Sequence, residues 1–375
     1  PYAYNNLGLV LMEAGNYPQA ETCFRRAVKL NPHKPAIHNN LGTVLEATNR
    51  RPAAAAAYRR ALELNPDYPE AHYNLGTLLR VDRQLKEAED HLRRAVALRP
   101  AYFEANFSLA TLHLLEGEFG KGWKLYEKSR RKRTGGRQLK IPSWRGEDLT
   151  GRRILLCWEY GFGDTIQFAR YVRKVEKSAG KISLWVQKPL KRLLAATYPE
   201  LSVYAGDGPP PEQYDYVCSL LSLPAIFNTG PETIPPPVAY KPDLFTPAVN
   251  WAEAIKKVDH GDSYRVGLVW AGHPKHLNNA NRSIPFTVFR NLFTVPGVGW
   301  VSLQVGPRAE DLTGTSARVS DFSRALVDFR ETASLIENLD LVITVDTAVA
   351  HLAGTMGKKT WILLSFDPDW RWQLD

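Results

Sequence analysis

The amino-acid sequence predicts an α-solenoid followed by an α/β region built of two similar halves. Over residues 1 to about 130 one motif recurs with a period of 34 residues, which is typical of stacked helical units. After residue 150 short apolar runs alternate with helical stretches, and this alternation predicts parallel sheets. The apolar fraction is 44% over 375 residues, which indicates a globular chain of two or three domains.

The helical repeat is recognised by small residues that recur in both halves of each unit. Small side chains let two helices cross closely, and a proline marks the passage to the next unit. The recurring segments and sites are Asn5–Gly8, Asn39–Gly42, Tyr73–Gly76 and Phe107–Ala110, then Ala20, Ala54, Ala88 and Gly122, then Phe24, Tyr58, Leu92 and Tyr126, and finally Pro32, Pro66 and Pro100. We expect the solenoid to occupy residues 1–133 and a linker to occupy residues 134–150.

Period, small positions and closing proline together make this part of the chain resemble the tetratricopeptide repeat. The resemblance implies a concave surface that takes a protein or peptide partner, with Asn6, Asn40 and Asn74 facing it. A spacer or dimerisation arm is the alternative, and these asparagines equally suit a structural role. The basic cluster Arg130–Arg137 that follows is interpreted as a solvated helix end before a Gly-Gly linker, so nucleic acid is not an expected partner.

The first α/β half is expected over residues 151–250. Its strands are predicted at Arg153–Trp158, Lys181–Val186, Leu201–Tyr204 and Tyr214–Cys218. After the first strand comes Gly161-Phe162-Gly163-Asp164, and we place the start of a helix near Thr165. Asp164 suits two roles there: it caps the helix, or it serves as a general base that takes a proton from an attacking hydroxyl.

The second α/β half is expected over residues 251–375. Buried strands are predicted at Arg265–Trp270, Trp300–Leu303, Leu341–Val345 and Thr360–Leu364, and helices at Glu331–Asn338, Ala348–Met356 and from about Pro285. In parallel sheets, ligands bind beyond the carboxyl ends of the strands, where helix N-termini offer N–H groups to phosphate. The turn between Leu341–Val345 and Ala348–Met356 is therefore the predicted site for a nucleotide-type ligand.

Three residues of that turn are the first candidates. Asp346 suits either a helix cap or a ribose hydroxyl, the hydroxyl of Thr347 suits a diphosphate, and His351 lies one helical turn further on the same face. The twelve-residue loop Gly272–Ser283 adds cationic and amide groups, among them Arg282, which can pair bidentately with phosphate oxygens. His273 and His276 lack a third ligand at a recognisable spacing, so no metal is expected.

With these pieces in view, the chain resembles bacterial proteins in which tetratricopeptide repeats are fused to a glycosyltransferase domain of the heptosyltransferase-like family 9. The architecture is also similar to that of the O-linked N-acetylglucosamine transferases. The residues that carry the resemblance are Glu159–Phe168, Arg265–Gly272, Asn281–Pro285, Ser302–Gln304, Val345–Gly354 and Asp369–Trp372.

That resemblance implies a two-lobed GT-B fold of two Rossmann-like halves, the first lobe holding the acceptor and the second the nucleotide sugar. By it, Asp164 is the catalytic base. The donor-binding residues that it implies are Arg282, Ser283, Gln304, Asp346, Thr347, Ala348 and His351. Gly163, Lys275 and Asn281 are further candidates for phosphate or acceptor contacts. No cofactor and no metal are expected, because cationic side chains and helix N-termini stabilise the diphosphate charge.

Two positions depart from that pattern: Tyr160 stands where Gln is common, and Val305 stands where Lys is common. We also expect the native chain to begin upstream of Pro1 and the second lobe to continue beyond Asp375. The formal charge of +9 suits an anionic ligand, and three separated cysteines together with the lack of an apolar spanning stretch suggest a cytoplasmic protein. The sequence leaves open a repeat scaffold with an inactive α/β half as the alternative to a transferase.

Overall fold

The computed structural model describes residues 1–133, 139–238, 240, 247–258, 264–276, 278–313 and 319–374, with the backbone alone at residues 130–133 and 258. The chain divides into two compact units, one formed by Pro1–Arg137 with Phe366–Asp375 and the other by Gln138–Ser365. We call them the repeat unit and the α/β unit. Among the described residues, no helix combines the length and the apolar character that crossing a membrane requires.

The repeat unit is a row of helix pairs, which confirms the predicted solenoid. Its helices are α1 (Tyr2–Glu13), α2 (Tyr17–Leu30), α3 (Pro35–Ala47), α4 (Arg51–Leu64), α5 (Pro69–Val81), α6 (Leu85–Leu98), α7 (Phe103–Leu115) and α8 (Phe119–Arg133). A Cβ atom built on Gly42 would lie 2.5 Å from the ring of Tyr58, and one built on Gly122 would lie 2.6 Å from the side chain of Leu114. Only glycine permits crossings this close.

Asparagine side chains join the first helices of neighbouring repeats. Asn40 donates from Nδ2 to Oδ1 of Asn5 at 2.9 Å, and Asn74 donates to Oδ1 of Asn39 at 2.9 Å. The recurring asparagines therefore connect α1 to α3 and α3 to α5. The structure thus assigns Asn40 and Asn74 a structural role, the second of the two roles that the sequence leaves open.

The α/β unit contains two parallel sheets, and each belongs to one lobe. The strands of the first lobe are β1 (Arg153–Cys157), β2 (Lys181–Val186), β3 (Ser202–Ala205) and β4 (Tyr216–Ser219), in the sheet order β3-β2-β1-β4. Its helices are α9 (Phe162–Phe168), α10 (Val172–Glu176), α11 (Lys191–Thr197) and α12 (Leu223–Ile226). Within the predicted linker, Ser143 forms a parallel bridge to Val217 beside β4, so the end of that segment belongs to this lobe.

The second lobe is built on a five-stranded parallel sheet. Its strands are β5 (Tyr264–Val269), β6 (Val298–Ser302), β7 (Val319–Asp321), β8 (Leu341–Val345) and β9 (Thr360–Leu363), in the order β7-β6-β5-β8-β9. Its helices are α13 (Trp251–Val258), α14 (Asn279–Arg282), α15 (Phe329–Glu337) and α16 (Ala348–Thr355). Strand β8, which lies between β5 and β9, is buried along its whole length, as the run LVITV predicts.

Several predicted boundaries shift by one or two residues, and two predicted helices need a larger correction. The helix expected near Thr165 begins at Phe162, because Gly161 is its N-cap and brings Asp164 into the first turn. The helix expected from about Pro285 is a 3-10 helix over Phe286–Thr294, preceded by the short α14 inside the predicted loop. The basic cluster Arg130–Arg137 lies outside the part of the chain whose side chains are described.

Candidate functional site

In each lobe the strand order reverses at one position, and that position marks the expected ligand crevice. In the second lobe β6 and β7 lie on one side of β5, whereas β8 and β9, which follow in sequence, lie on the other side. In the first lobe β2 and β3 lie on one side of β1 and β4 on the other. Ligands of open parallel sheets bind at such switch points, beyond the carboxyl ends of the two adjoining strands.

The first-lobe switch point is bordered by the turn that joins β1 to α9. Tyr160 has a φ of 62° there, a left-handed conformation that is costly for a bulky residue and that clusters at functional turns. Glu159 accepts a hydrogen bond from the hydroxyl of Ser219 at 2.7 Å, and Ser219 is the last residue of β4. The turn that follows β1 is thus connected to the end of β4 at the switch point.

Asp164 lies in the first turn of α9 and is half-buried. Its Oδ2 accepts the N–H of Gly161 at 2.9 Å, which is the hydrogen bond of a helix-capping carboxylate. The capping role considered for Asp164 is therefore present in the structure. The role of general base stays a prediction, because one accepted hydrogen bond does not prevent a carboxylate from taking a proton.

In the second lobe, Arg282 lies directly over the loop that follows β5. A Cβ atom built on Gly272 would lie 2.6 Å from both Nε and Nη2 of Arg282, so any larger residue at Gly272 would displace the guanidinium. Ser283 accepts the N–H of Gly272 at 3.1 Å and donates to Oδ1 of Asn279 at 3.0 Å. Arg282 is therefore positioned at the switch point, while the hydroxyl of Ser283 holds the loop together.

Gln304 lies after β6 and is only 4% exposed. Its Oε1 accepts the N–H groups of Trp270 and Ala271 at 3.2 and 3.0 Å, and its Nε2 donates to the carbonyl oxygens of Ala271 and Val305, both at 3.1 Å. The amide thus fixes the start of the loop after β5. The predicted contact of Gln304 with a nucleotide sugar stays a prediction, whereas the structure shows the hydrogen bonds by which Gln304 positions the loop.

The turn between β8 and α16 presents backbone N–H groups beside the hydroxyl of Thr347. Thr347 is the N-cap residue of α16, and no acidic residue occupies the first turn of the helix, which begins at Ala348. Oγ1 of Thr344 lies 2.8 Å from the carbonyl oxygen of Val345 and 3.1 Å from Oγ1 of Thr347. Either hydroxyl can be the donor in that pair. The N–H groups of the first turn are donors suited to phosphate, and the predicted contact of the Thr347 hydroxyl with a diphosphate stays a prediction.

The first turns of α9 and α16 pack against each other across the two lobes. A Cβ atom built on Gly163 would lie 2.7 Å from Cδ2 of His351, 3.3 Å from its Nε2 and 3.6 Å from Cα of Ala348. The half-buried His351 therefore faces the turn that carries Asp164. This contact brings one predicted residue of the acceptor side and two of the donor side together.

Lys275 and Asn281 lie on the exposed surface of the loop. Asn281 donates to Oδ1 of Asn278 at 2.7 Å, and the backbone N–H of Lys275 donates to Nδ1 of His273 at 3.2 Å. Their predicted contacts with phosphate or acceptor stay predictions, as does that of Asp346, which is half-buried just before Thr347.

Sequence reasoning missed one histidine cluster in the repeat unit. Nδ1 of the buried His113 lies 2.7 Å from Oε2 of Glu118, and its Nε2 lies 3.7 Å from Oε1 of Glu89. Among the described residues, this is the grouping of three side chains whose spacing would suit a metal ion. However, Glu118 faces Nδ1 of His113 and Glu89 faces Nε2, on opposite edges of the ring. An ion placed between His113 and one carboxylate would therefore lie on the side of the ring away from the other carboxylate. Burial also lowers the pKa of His113, although both carboxylates oppose this shift.

Comparison with known proteins agrees with the helical architecture of the repeat unit. The family model of the tetratricopeptide repeat matches residues 5–69, 45–102 and 73–136. Residues 5–136 are tetratricopeptide repeats. The similar solved structures include MamA, 22% identical with a TM-score of 0.33 over 35% of this chain and 76% of that chain. Another is the first repeat domain of Spaghetti (RPAP3) bound to the HSP90 peptide SRMEEVD, 22% identical with a TM-score of 0.29 over 30% of this chain and 88% of that chain.

The chain is also similar to Protein FlbA of Caulobacter vibrioides. The identity is 28% over 275 residues, which covers 66% of this chain and 46% of FlbA. The match thus spans less than half of the length of that relative. Because the repeats make up little more than a third of the 375 residues, a match of this extent includes part of the α/β unit.

Proposed function

We propose that this protein is a metal-independent glycosyltransferase of the GT-B type, and that its tetratricopeptide repeats recruit a protein partner or acceptor. The observation that carries the proposal is the contact of Gly163 with His351. It joins the turn of Asp164 to the first turn of α16 between two parallel-sheet lobes. Two-lobed transferases place the acceptor and the nucleotide sugar on opposite sides of such a junction.

In the proposed reaction, Asp164 takes the proton of the acceptor hydroxyl as its oxygen forms a bond to the anomeric carbon of the sugar. The bond between that carbon and the diphosphate oxygen breaks, and the nucleoside diphosphate leaves with the electron pair. Arg282 and the N–H groups at the start of α16 stabilise its negative charge. Gln304 positions the loop that carries Gly272, and Gly272 leaves room for the guanidinium of Arg282.

The test is a calorimetric titration of UDP, ADP and GDP into the full chain and into Arg282→Met, Asp346→Ala and Arg290→Met. We expect one diphosphate to bind saturably, with an affinity about tenfold to a hundredfold lower in Arg282→Met, because a charge-assisted hydrogen bond is lost. The corresponding nucleoside should bind the wild-type and Arg282→Met chains equally. Arg290 is exposed and serves as the matched control.

The affinity of the Asp346→Ala chain for the diphosphate shows whether Asp346 belongs to the same site. Loss of a ribose contact would weaken the binding of the nucleoside as well as that of the diphosphate. Failure of all three diphosphates to bind at millimolar concentration would contradict the transferase proposal.

A second function, a repeat scaffold with an inactive α/β unit, is favoured by one observation. The carboxylate of Asp164 already accepts the N–H of Gly161, as a purely structural cap would. Under that proposal the repeats bind a protein partner and the α/β unit binds no diphosphate. The same titration distinguishes the two functions, because it depends on the α/β unit alone.

A further inference from the structure

The last residues of the chain belong to the repeat unit, whereas the sequence predicts that they are part of the second lobe. The compact unit of the repeats includes Phe366–Asp375, whereas Ser365 belongs to the α/β unit. We call Phe366–Leu374 the return segment, because the chain leaves the repeats after residue 137 and comes back to them here. Its sequence, FDPDWRWQL, combines two acidic residues with three aromatic ones.

At its start, the return segment is held by two arginines of the third repeat. Nη1 of Arg80 lies 2.8 Å from Oδ1 of Asp367, and both side chains are largely shielded from solvent, at 24% and 21% exposed. Arg83 donates from Nε to the carbonyl oxygen of Phe366 at 2.9 Å, and its guanidinium lies 5.4 Å from the centre of the Phe366 ring. An acidic side chain and a backbone carbonyl are thus both recognised by cations of the repeat.

Further along, Trp370 is inserted among aromatic rings of the fourth repeat. Its ring centre lies 5.3 Å from that of Trp123 in an edge-to-face arrangement and 5.9 Å from that of Tyr126. The indole is 8% exposed, and Arg371 of the segment itself stacks over it at 4.4 Å. Asp369 caps the 3-10 turn Trp370–Trp372 by accepting the N–H of Arg371 at 3.0 Å. The indole therefore occupies a built aromatic pocket.

The return segment runs from the side of the repeats that is formed by the first helices to α8, the second helix of the fourth repeat, which carries Trp123 and Tyr126. Arg80 belongs to α5, the first helix of the third repeat, and the 3-10 turn contacts α7, the first helix of the fourth. The first helices of neighbouring repeats contact each other along the row, α1 with α3, α3 with α5 and α5 with α7. Helices that approach each other in this way line the inner side of a curved stack, which is the side that such arrays use for binding.

We propose that the return segment is an internal occupant of the peptide-binding surface of repeats three and four. An external partner would carry the same chemistry, an acidic residue followed three positions later by tryptophan, and would bind by displacing the segment. The proposal deepens the protein-binding part of the function proposed above and rests on it. Buried tryptophan and paired arginine are the residues that dominate protein interfaces, so the four side chains Arg80, Arg83, Trp123 and Tyr126 carry the recognition.

An external peptide can bind only if it competes with the return segment, which is tethered to the same chain. A tethered segment competes at an effective concentration in the millimolar range, so a free peptide of equal affinity binds the wild-type chain weakly. Loss of Trp370 from the chain removes the internal competitor but leaves the pocket of Trp123 and Tyr126 intact. The Trp370→Ala chain should therefore bind the free peptide more tightly than the wild-type chain does.

The experiment measures the binding of a fluorescein-labelled peptide covering residues 365–374 to the full chain by fluorescence anisotropy. We expect the Trp370→Ala chain to bind the peptide at least tenfold more tightly than the wild-type chain. The Asp367→Ala chain, which alters an ion pair but leaves the aromatic pocket filled, is the second variant and should show a smaller gain. Equal binding by all three chains, or no binding by any of them, would overturn the proposal and make the segment a permanent part of the fold.

A charge exchange tests the recognised chemistry. In the Trp370→Ala background, Arg80→Glu should lose at least tenfold in affinity for the native peptide and regain it for a peptide with Asp367→Arg. Arg60→Glu is the matched control, because Arg60 lies on α4 and pairs with Glu63 of the same helix. An Arg80→Glu chain that binds both peptides as Arg60→Glu does would contradict the assigned surface.

Diphosphate binding is measured on the same variants, and it reports on the α/β unit. Peptide competition without diphosphate binding would leave this inference standing while the transferase proposal fails. The opposite result would retain the transferase and reject the displaceable segment.

Discussion

The carboxylate of Asp164 has a structural role that is seen and a chemical role that is proposed. It accepts the N–H of Gly161 and so caps α9, and it is the proposed base for the acceptor hydroxyl. Asparagine and alanine separate the two roles, because the amide oxygen of asparagine still accepts the N–H of Gly161 but cannot take a proton. The two substitutions should therefore differ in their effect on the stability of the α/β unit, whereas both remove the group that could take a proton.

We predict that Asp164→Ala lowers the free energy of unfolding of the α/β unit by about 1 kcal/mol and that Asp164→Asn lowers it by less. Both should reduce the rate of sugar transfer by about a hundredfold or more, since a general base is lost. The measurements are calorimetric unfolding and transfer from the donor that the titration identifies, with diphosphate affinity as the control. Full transfer activity in Asp164→Asn would leave the residue with a capping role alone.

At the scale of the elements, the fit between α9 and α16 depends on Gly163. A Cβ atom added at Gly163 would lie 2.7 Å from the ring of His351, so the ring or one of the two helices would have to move. Gly354 belongs to the same helix as His351, and a Cβ atom there meets nothing within 4 Å. The chain thus offers a matched pair of glycine-to-alanine substitutions, one in a crowded place and one in an open place.

Gly163→Ala should destabilise the α/β unit by about 1 to 3 kcal/mol through overpacking and weaken diphosphate binding. Gly354→Ala should leave binding unchanged and stabilise the helix by up to about 1 kcal/mol, because alanine is the better helix former. Thermal unfolding and the diphosphate titration check both effects. Equal behaviour of the two variants would mean that the contact between the helices does not support the site.

The elements differ in how far the sequence alone could predict them. The bounds of Lys181–Val186 and Leu341–Val345 agree with the predictions, because both are apolar runs in strands whose side chains are mostly buried. The short α14 and β7 were not predicted. The four residues of α14, three of them polar, carry no helical periodicity, and the three residues of β7 are too few to show the pattern of a strand. The loop-holding role of Gln304 was also missed. It depends on N–H groups more than thirty residues away in sequence, which no local pattern indicates.

At the scale of the whole molecule, the return segment likewise could not be assigned to the repeats from local sequence patterns. Asp367 pairs with Arg80 across 287 residues of sequence, and the Trp-Arg-Trp pattern gives no sign of which unit it contacts. Periodicity predicts repeats well because each unit packs on its neighbour in sequence. Long-range contacts between side chains require the structure.

At the scale of the α/β unit, the two lobes are joined by a second contact besides that of Gly163. Arg192 of α11 lies 2.8 Å from Oδ2 of Asp328 and 3.3 Å from Oε1 of Glu331, both at the start of α15. Glu331 is fully buried and also accepts the indole N–H of Trp251 at 3.3 Å and the N–H of Ala248 at 3.1 Å. Removal of Arg192 leaves this buried carboxylate without its cationic partner from the first lobe.

We predict that Arg192→Ala destabilises the α/β unit by about 1 to 3 kcal/mol, less than for a fully buried pair because the arginine is 42% exposed. In calorimetry the thermal transition of this unit should fall by about 2 to 12 °C, and that of the repeat unit should not change. Arg60→Ala removes an exposed pair within α4 and should shift neither transition measurably. If Arg192→Ala leaves the transition of the α/β unit unchanged, the lobes are held together by the packing of α9 on α16 and of Phe162 on Phe329 rather than by the ion pair.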